Sequence, residues 1–409
     1  MSWSAETLGD VVDRDGGMIR TGPFGSQLHQ SDYASEGIPV IMPKDISDGR
    51  VDPESVARVS EETAIRMKRH QLSAKTIVLP RRGEITKRAF IREEQAGWLC
   101  GTGCLQIVLE GNRLLPEFLY YYMEQQEVSR WLEQHAVGTT MLNLSATIVT
   151  ELPVKYPAPV AQVRIVDILS SYDALIENNR RRMVLLEEAA RQLYREWFVR
   201  LRFPGHEHTR ITNGVPEGWE KGCVGDFYDT ASGGTPSRTN PEYFTGEIPW
   251  VKTKELSNAF IIDAEEKITE EALVKSSAKL FPDRTVLVAL YGATVGEVGI
   301  LTLPAATNQA CCAIFPKDVR SHFIHAFLFF RENKEKLVSL SAGAAQKNVS
   351  QQIIQAFEMT MPVKAIVETF IESLSPVFEQ WLNLHRANAQ LHSARDLLLP
   401  RLMSGEIAV

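Results

Sequence analysis

The 409-residue chain has few cysteines, no long apolar run and no excess of positive charge. Its five cysteines are odd in number and lack the paired spacing of zinc ligands, so we expect reduced thiols in a cytoplasmic protein. No apolar stretch reaches the length of a membrane span, and the N-terminus lacks the basic and then apolar pattern of a signal peptide. The net charge of −7 leaves only local basic faces for nucleic-acid binding.

Motifs of catalysis are also missing. Gly292–Gly296 lacks the lysine of a phosphate-binding loop, and Asn240-Pro241-Glu242-Tyr243 only superficially resembles the motif of amino-methyltransferases. Neither a nucleophile elbow nor a His-Glu-x-x-His helix is present. His206 and His208 lie in a polar linker, which favours solvated residues over a metal site. We therefore expect a binding or scaffolding protein with no catalytic residue, bound metal or bound cofactor.

What the sequence does contain is a repeat with an offset of over 200 residues. The matching segments are Trp3-x4-Leu8-Gly9-Asp10 and Trp219-x4-Val224-Gly225-Asp226, Gly37–Ile41 and Glu247–Val251, Thr76–Leu79 and Thr285–Val288, Phe118–Tyr121 and Phe327–Phe330, and Asn143–Ser145 and Asn348–Ser350. A period this long predicts two similar domains rather than a solenoid. We expect a first domain over 1–157, a helix over 158–203, a linker and second domain over 204–362, and a second helix over 363–409.

Both domains are predicted to be α+β. Short β-branched or apolar runs bounded by glycine and proline predict strands over Ile38–Met42, Thr76–Leu79, Leu105–Leu109, Ile248–Lys252, Thr285–Leu290 and Ala310–Phe315. Helices are predicted over Pro116–Gln125 and Ser321–Glu335.

Each domain is followed by a segment with a heptad pattern, in which seam residues are alternately four and three positions apart. The first seam contains Ile165, Leu169, Tyr172, Ile176, Asn179, Met183, Leu186, Ala190, Leu193 and Trp197. The second contains Phe370, Leu374, Val377, Trp381, Leu384, Asn388, Leu391, Arg395, Leu398 and Leu402. Neither stripe can be buried by its own helix, which predicts an antiparallel coiled coil between two domains and a pseudo-two-fold molecule.

One register of this pair places the polar Asn179 opposite Asn388, and a buried amide pair is a known device for fixing register. The same register pairs Ile165 with Leu402, and Pro400 is expected to disturb that last layer. Registers shifted by a heptad keep the apolar pattern as well. Two unrelated amphipathic helices, each docked on its own domain, are the alternative to a pair.

Three loops rich in glycine, hydroxyl, amide and basic residues recur at equivalent positions of the two domains. They are residues 20–27 with 231–238, 81–88 with 291–296, and 138–143 with 343–348. Backbone amides and hydroxyls suit phosphates, while Arg, Lys, Gln and Asn suit base edges, so these loops predict DNA contacts; plain turns are the alternative. The DNA-binding candidates are Ser26, Lys44, Arg81, Arg82, Lys87, Arg88, Thr139, Thr140, Asn143, Thr235, Lys252, Lys254, Tyr291, Thr294, Gln346, Lys347 and Asn348.

With Ile176–Arg181, Leu193–Phe198, Gly246–Val251, Pro23–Ser26 and the C-terminal Leu397–Ile407, the whole chain closely resembles the DNA specificity subunit of Type I restriction-modification systems. The resemblance implies two target-recognition domains, each reading one half of a bipartite site in double-stranded DNA, with the helices setting the gap. It also implies two methyltransferase subunits as partners and up to two translocating endonuclease subunits. S-adenosylmethionine, ATP and Mg²⁺ are then expected on those partners.

Two other functions are compatible with the residues. One is a fused restriction and methylation enzyme with an unrecognised catalytic part, against which the missing methyltransferase motifs count. The other is a coiled-coil scaffold that does not bind DNA. Methylation by the isolated chain would favour the enzyme, and footprints without sequence preference would favour the scaffold.

Overall fold

The computed structural model describes residues 3–47, 49–51, 53, 56–138, 142–340 and 348–409. The chain divides into two compact units: unit 1 is Met1–Ile176 with Leu391–Val409, and unit 2 is Glu177–Gln390. Each unit combines largely antiparallel sheets, which include the parallel pairs β10-β4, β17-β23 and β18-β22, with helices, and this confirms the predicted α+β class. Within the described residues, no helix has both the length and the apolar character needed to cross a membrane.

The described part of unit 1 has a four-stranded sheet of order β2-β11-β8-β9, a second of order β10-β4-β7-β3, and the pairs β1-β12 and β5-β6. The strands are β1 Trp3–Thr7, β2 Gly17–Thr21, β3 Tyr33–Ala34, β4 Ile38–Ile41, β5 Ile46–Ser47, β6 Arg50–Val51, β7 Ala57–Val59, β8 Ile77–Pro80, β9 Ala89–Phe90, β10 Leu99–Cys100, β11 Cys104–Leu109 and β12 Pro153–Pro157. The helices are α1 Leu8–Asp15, α2 Glu61–Arg66, α3 Pro116–Tyr122, α4 Gln126–His135, α5 Ala146–Thr150 and the start of α6 Pro159–Tyr194.

The described part of unit 2 has a five-stranded sheet of order β16-β24-β21-β22-β18, a four-stranded sheet of order β19-β17-β23-β20, and the pairs β15-β25 and β13-β14. The strands are β13 Ile211–Thr212, β14 Val215–Pro216, β15 Glu220–Cys223, β16 Tyr228–Ser232, β17 Ile248–Val251, β18 Phe260–Ile261, β19 Lys267–Ile268, β20 Leu280–Phe281, β21 Val286–Ala289, β22 Val298–Leu301, β23 Ala305–Thr307, β24 Cys311–Pro316 and β25 Glu358–Met361. The helices are α7 Val224–Phe227, α8 Glu270–Lys275, α9 Phe323–Glu332, α10 Lys334–Ser339, α11 Gln351–Gln355 and α12 Lys364–Met403.

The two units share a topology. In unit 1, β11 is antiparallel to both β2 and β8, just as β24 in unit 2 is antiparallel to both β16 and β21. All six predicted strands are present. The two predicted helices are each shorter than expected, because a second short helix follows after a turn, giving α3 and α4 in unit 1 and α9 and α10 in unit 2.

The repeated Leu/Val-Gly-Asp segment forms the first helical turn of each unit. Asp10 accepts a hydrogen bond from the Thr7 amide at 3.2 Å, and Asp226 accepts one from the Cys223 amide at 2.7 Å. Each aspartate thus satisfies a backbone amide that a helix start leaves without an intrahelical partner. Gly9 avoids a tight contact, since a Cβ there would lie 3.0 Å from Thr150 Cβ.

The long helix α6 begins at Pro159, where a proline suits the first helical position, and continues as a π-helical turn over Arg195–Val199. Helix α12 runs without interruption to Met403. The expected disturbance at Pro400 is therefore wrong: Ile165 and Leu402 are each 1 % exposed and belong to one apolar cluster. Burial of Leu399, Leu402 and Met403 around the exposed proline offsets its lost backbone hydrogen bond.

Within unit 2, segments of α6 and α12 pack antiparallel. Asn179 Nδ2 donates a hydrogen bond to Asn388 Oδ1 at 2.9 Å, and the rings of Trp197 and Phe370 lie 5.4 Å apart. These are the contacts that the register with Asn179 opposite Asn388 requires. In unit 1, Arg395 on α12 donates to Asp173 on α6 at 2.8 Å.

Candidate nucleic-acid interface

The repeated tripeptides Asn143–Ser145 and Asn348–Ser350 build the same turn in both units. The middle residue, Leu144 or Val349, is fully buried, and its amide donates to the carbonyl of Arg81 at 2.8 Å or of Leu290 at 2.7 Å. The serine then caps the next helix: Ser145 Oγ accepts from the Ile148 amide at 3.1 Å, and Ser350 Oγ from the Ile353 amide at 3.3 Å. The turn fixes two loops beside each other.

Each pair of loops is also joined by a β-bridge through the asparagine. Asn143 bridges to Arg82 and to Val137, and Asn348 bridges to Tyr291. In both units, therefore, the loop after the buried strand β8 or β21 lies against the described residues shortly before α5 or α11. Asn143 and Asn348, the last residues of the third loop pair, thus lie beside the second loop pair in the described part of each unit.

In unit 1 the first loop also joins this surface. The Arg81 guanidinium lies over the ring of Phe24, 5.8 Å from its centroid, while Arg81 Nε donates to the Leu144 carbonyl at 3.2 Å. Phe24 is 59 % exposed, and Ser26 and Arg82 are exposed as well. Phe24 is an addition that the sequence did not single out as a contact; its signal is an aromatic residue in a glycine-rich loop.

The remaining basic candidates of unit 1 differ in accessibility. Lys44 is exposed in a short 3₁₀ turn, Pro43–Asp45. Lys87 pairs with Glu84 at 2.6 Å at the surface, an interaction that solvent keeps weak.

Arg88 faces inwards, which corrects its place among the candidates. Its side chain is 12 % exposed, and its Nε and one terminal nitrogen donate to the carbonyls of Tyr120 and Thr86, both at 3.2 Å. The other terminal nitrogen lies 2.8 Å from Glu124 Oε1. Burial lowers the pKa of Arg88 to about 10, so it stays charged at neutral pH. With these donors engaged inside the unit, Arg88 is not placed to meet DNA.

In unit 2 the candidates that the structure describes in the equivalent loops are polar and uncharged. Tyr291 is 37 % exposed and Asn348 is exposed. Thr294 is half-buried, and its carbonyl accepts from the Glu297 amide at 2.9 Å. Thr235 Oγ1 donates to Gln309 Oε1.

Lys252 and Lys254 lie beside carboxylates. Lys252 Nζ lies 2.6 Å from Glu266 and its side chain is only 21 % exposed. The side chain therefore does not face outwards, although it was expected to contact DNA. Lys254 is paired with Glu265 but is 59 % exposed. Arg238 is the basic side chain that the candidates omit: it lies over Phe244 and Trp250 at 4.1 and 5.2 Å and pairs with Glu266 at 2.6 Å. Arg238 is the last residue of loop 231–238, and this position could have identified it as a candidate DNA contact.

Thr139, Thr140, Gln346 and Lys347 lie outside the described residues. Among the residues that are described, no group of three or more His, Cys, Asp or Glu side chains is arranged to hold a metal ion. The five cysteines are free thiols, and burial raises the pKa of Cys100 and Cys312 to about 12.

Comparison with known proteins identifies similar sequences and folds. Residues 2–188 and 216–392 each match the family model of the Type I restriction modification DNA specificity domain. The Type I restriction enzyme MjaIX specificity subunit of Methanocaldococcus jannaschii is 24% identical over 421 residues, covering 100% of this chain and 94% of that protein. The HindI specificity subunit of Haemophilus influenzae is 25% identical over 382 residues, covering 78% and 83%. The crystal structure of a Type I restriction-modification S subunit from M. genitalium has the same fold, with a TM-score of 0.60, 14% identity, and coverage of 98% and 96%.

Proposed function

This chain belongs to the Type I restriction modification DNA specificity family, and from that membership we propose that each of its two units reads one half of a bipartite, asymmetric site in double-stranded DNA. The observation that carries the proposal is the duplicated loop pair, joined by the Leu144-to-Arg81 hydrogen bond in unit 1 and the Val349-to-Leu290 hydrogen bond in unit 2. The backbone of this loop pair is the same in both units, while the exposed side chains differ. Two such surfaces suit the recognition of two different DNA sequences.

The exposed side chains of each surface support the proposal that the two units recognise different half-sites. In unit 1, Arg82 and Arg81 offer bidentate donors for guanine edges or phosphates, and the exposed Phe24 offers an apolar face to bases. In unit 2, Tyr291 and Asn348 offer a hydroxyl and an amide instead. The net charge of −7 is compatible with DNA binding if partner subunits supply much of the phosphate contact.

The chain is a specificity subunit, so the reaction itself belongs to other subunits. We propose that it binds two methyltransferase subunits, which use S-adenosylmethionine to methylate adenine, and up to two ATP- and Mg²⁺-dependent translocating endonuclease subunits. Outward residues of α6 provide a surface for such partners: Val184 and Leu185 are 66 % and 69 % exposed, next to the basic run Arg180–Arg182. Exposed apolar pairs rimmed by charge are typical of protein contacts.

The helices are proposed to act as the spacer that sets the non-specific gap between the half-sites. A rigid separation of two groove readers converts protein length into a distance along DNA. Joining the two readers also gives the second half-site a high effective concentration once the first is bound.

Domain exchange tests this proposal. Residues 1–157 are replaced by the corresponding domain of a relative, the complex is reconstituted with its methyltransferase subunit, and methylated adenines are mapped. We expect one half of the recognised site to change while the other half and the gap stay the same. Replacing residues 204–362 instead is the matched control and should change only the opposite half. A change in both halves from a single exchange, or in neither, contradicts the two-reader proposal.

A further inference from the structure

We call the loop after β8 in unit 1 and the loop after β21 in unit 2 the reading loops. Their last residues have opposite charges. Arg88 ends the loop of residues 81–88 directly before β9, and Glu297 ends the loop of residues 290–297 directly before β22. Both side chains point into the unit, with 12 % and 24 % of their surfaces exposed. Both reach the same place, the turn between the two helices that follow the sheet. In unit 1 this turn joins α3 to α4, and in unit 2 it joins α9 to α10.

In unit 1 a chain of four alternating charges leads from the loop to the long helices. Arg88 lies 2.8 Å from Glu124 in the turn, and Glu124 lies 3.7 Å from Arg395 on α12. Arg395 donates to Asp173 on α6 at 2.8 Å. Tyr121 Oη donates to the second oxygen of Asp173 at 2.6 Å. We call Arg88, Glu124, Arg395 and Asp173 the unit 1 relay.

In unit 2 the corresponding chain has the opposite sign at the loop. Glu297 lies 2.5 Å from Lys334 and 3.4 Å from Arg331, at the two ends of the turn. Arg331 continues to Glu187 on α6 at 3.6 Å. We call Glu297, Lys334, Arg331 and Glu187 the unit 2 relay.

A second tie in unit 2 resembles the link between Glu124 and Arg395. Arg195 Nε, in the π-helical turn after α6, donates to both oxygens of Glu332 at 2.8 Å. Both units therefore join a glutamate in this turn or at its edge to an arginine, on α12 in unit 1 and directly after α6 in unit 2. The difference between the units lies in the loop residue and its partner in the turn.

Stability alone is a poor explanation for the enclosed ions of the unit 1 relay. The cost of removing charges from water roughly cancels their attraction, so buried ion pairs contribute little net stability. In some proteins such pairs instead fix one defined geometry, since each charge must meet its partner. Arg395 and Glu124 are 18 % and 9 % exposed, so water cannot readily replace either partner.

We propose that Arg88 and Glu297 are positioning residues, which fix the orientation of each reading loop relative to the long helices and thereby set how strictly the gap between half-sites is measured. The inference rests on the proposed function. Reversal of sign between the relays also makes the loops non-interchangeable: Glu297 in the place of Arg88 would face Glu124, and Arg88 in the place of Glu297 would face Lys334 and Arg331.

The test uses the full chain in complex with its methyltransferase subunit. Affinity is measured for duplexes with the natural gap and with gaps one base pair shorter or longer. Arg88→Met, which fills similar volume without charge, should reduce the ratio of natural-gap to altered-gap affinity by roughly 2- to 30-fold, the range for disturbing a coupling network. Arg88→Lys should restore most of that ratio because it keeps the charge opposite Glu124.

Arg14→Met is the matched control. Arg14 in unit 1 also forms an ion pair, with Glu6 at 2.5 Å, but this pair does not connect the reading loop to a long helix. The control should leave the gap ratio unchanged.

A charge exchange tests the unit 2 relay independently. Glu297→Lys places like charges beside Lys334 and Arg331 and should also reduce the gap ratio. The double variant with Glu297→Lys and Lys334→Glu restores opposite charges across the 2.5 Å contact and should recover at least part of the ratio. Thermal unfolding of every variant separates this effect from loss of fold.

The outcomes distinguish the two proposals. If Arg88→Met and Glu297→Lys lower affinity equally for all three gaps, or leave all three unchanged, the positioning role is overturned. If the unaltered complex shows no preference for a gap or for either half-site, it is the proposed function that fails.

Discussion

Three arginines within one loop of unit 1 have three different surroundings. Arg81 uses Nε to hold the Leu144 carbonyl and stacks on Phe24, so it both builds the surface and faces outwards. Arg82 is exposed, and only its backbone takes part in the bridge to Asn143. Arg88 is enclosed by carbonyls and a carboxylate. Charge alone did not separate these roles, because the partners of Arg81 and Arg88 are distant in sequence.

Replacing Arg82 is expected to affect one half-site only. Arg82→Gln should lower discrimination at one position of the half read by unit 1 by about 1–3 kcal/mol, the worth of a bidentate contact to a base. Binding to a panel of single-base variants of both half-sites measures this. Lys155→Gln, which removes a charge from an exposed strand position of the same unit, is the control and should change little. A uniform loss over all variants, with a weaker salt dependence, would make Arg82 a phosphate contact instead.

Among the elements, the long helices were the most predictable from sequence. Their seams are local and periodic, so the 3.5-residue repeat indicated the helices, and the polar seam residues Asn179 and Asn388 indicated a register. Prolines were less predictable: α12 contains Pro376 and Pro400, both exposed, and continues through each. Tertiary burial of neighbours such as Phe378 and Leu399 outweighs the propensity of a single residue.

The amide pair between α6 and α12 gives a prediction for these helices. Asn179→Leu removes the 2.9 Å hydrogen bond to Asn388, an amide only 7 % exposed, and should destabilise the fold by about 1–3 kcal/mol. Changing Asn388 to leucine as well should recover stability, since two apolar residues pack without a polar cost. Urea unfolding measures both effects. A double variant no more stable than Asn179→Leu would show that the amides contribute more than a paired hydrogen bond.

For the molecule as a whole, the duplication could be predicted from the sequence because the repeated residues make the same structural hydrogen bonds in both units. Asp10 and Asp226 accept hydrogen bonds from backbone amides at the start of a helix, and Ser145 and Ser350 cap helices. Ion pairs between residues that are distant in the sequence could not be predicted from it. The enclosure of Lys252 by Glu266, and of Arg88 by Glu124, depends on how separate segments meet, and no local pattern encodes it.

The spacer role of the helices predicts a change of gap at this scale. Inserting one heptad into both α6 and α12 adds about 10.5 Å at 1.5 Å per residue. At about 3.4 Å per base pair, the preferred gap should grow by roughly three base pairs, which mapping of methylated adenines would reveal. Insertion into α6 alone mismatches the seams and should abolish defined recognition. An unchanged gap after the double insertion would refute the spacer role.

The pairing of β1 with β12, and of β15 with β25, has a consequence for how such proteins evolve. Trp3 stands opposite Pro157 and Glu220 opposite Met361, so the peptide enters and leaves each globular part through adjacent antiparallel strands, about 4.8 Å apart. α6 and α12 begin directly afterwards. Each globular part is therefore a cassette with neighbouring entry and exit points. A foreign cassette that enters and leaves between the same two points would leave the heptad register of both helices unchanged, so the geometry suits exchange of a whole cassette.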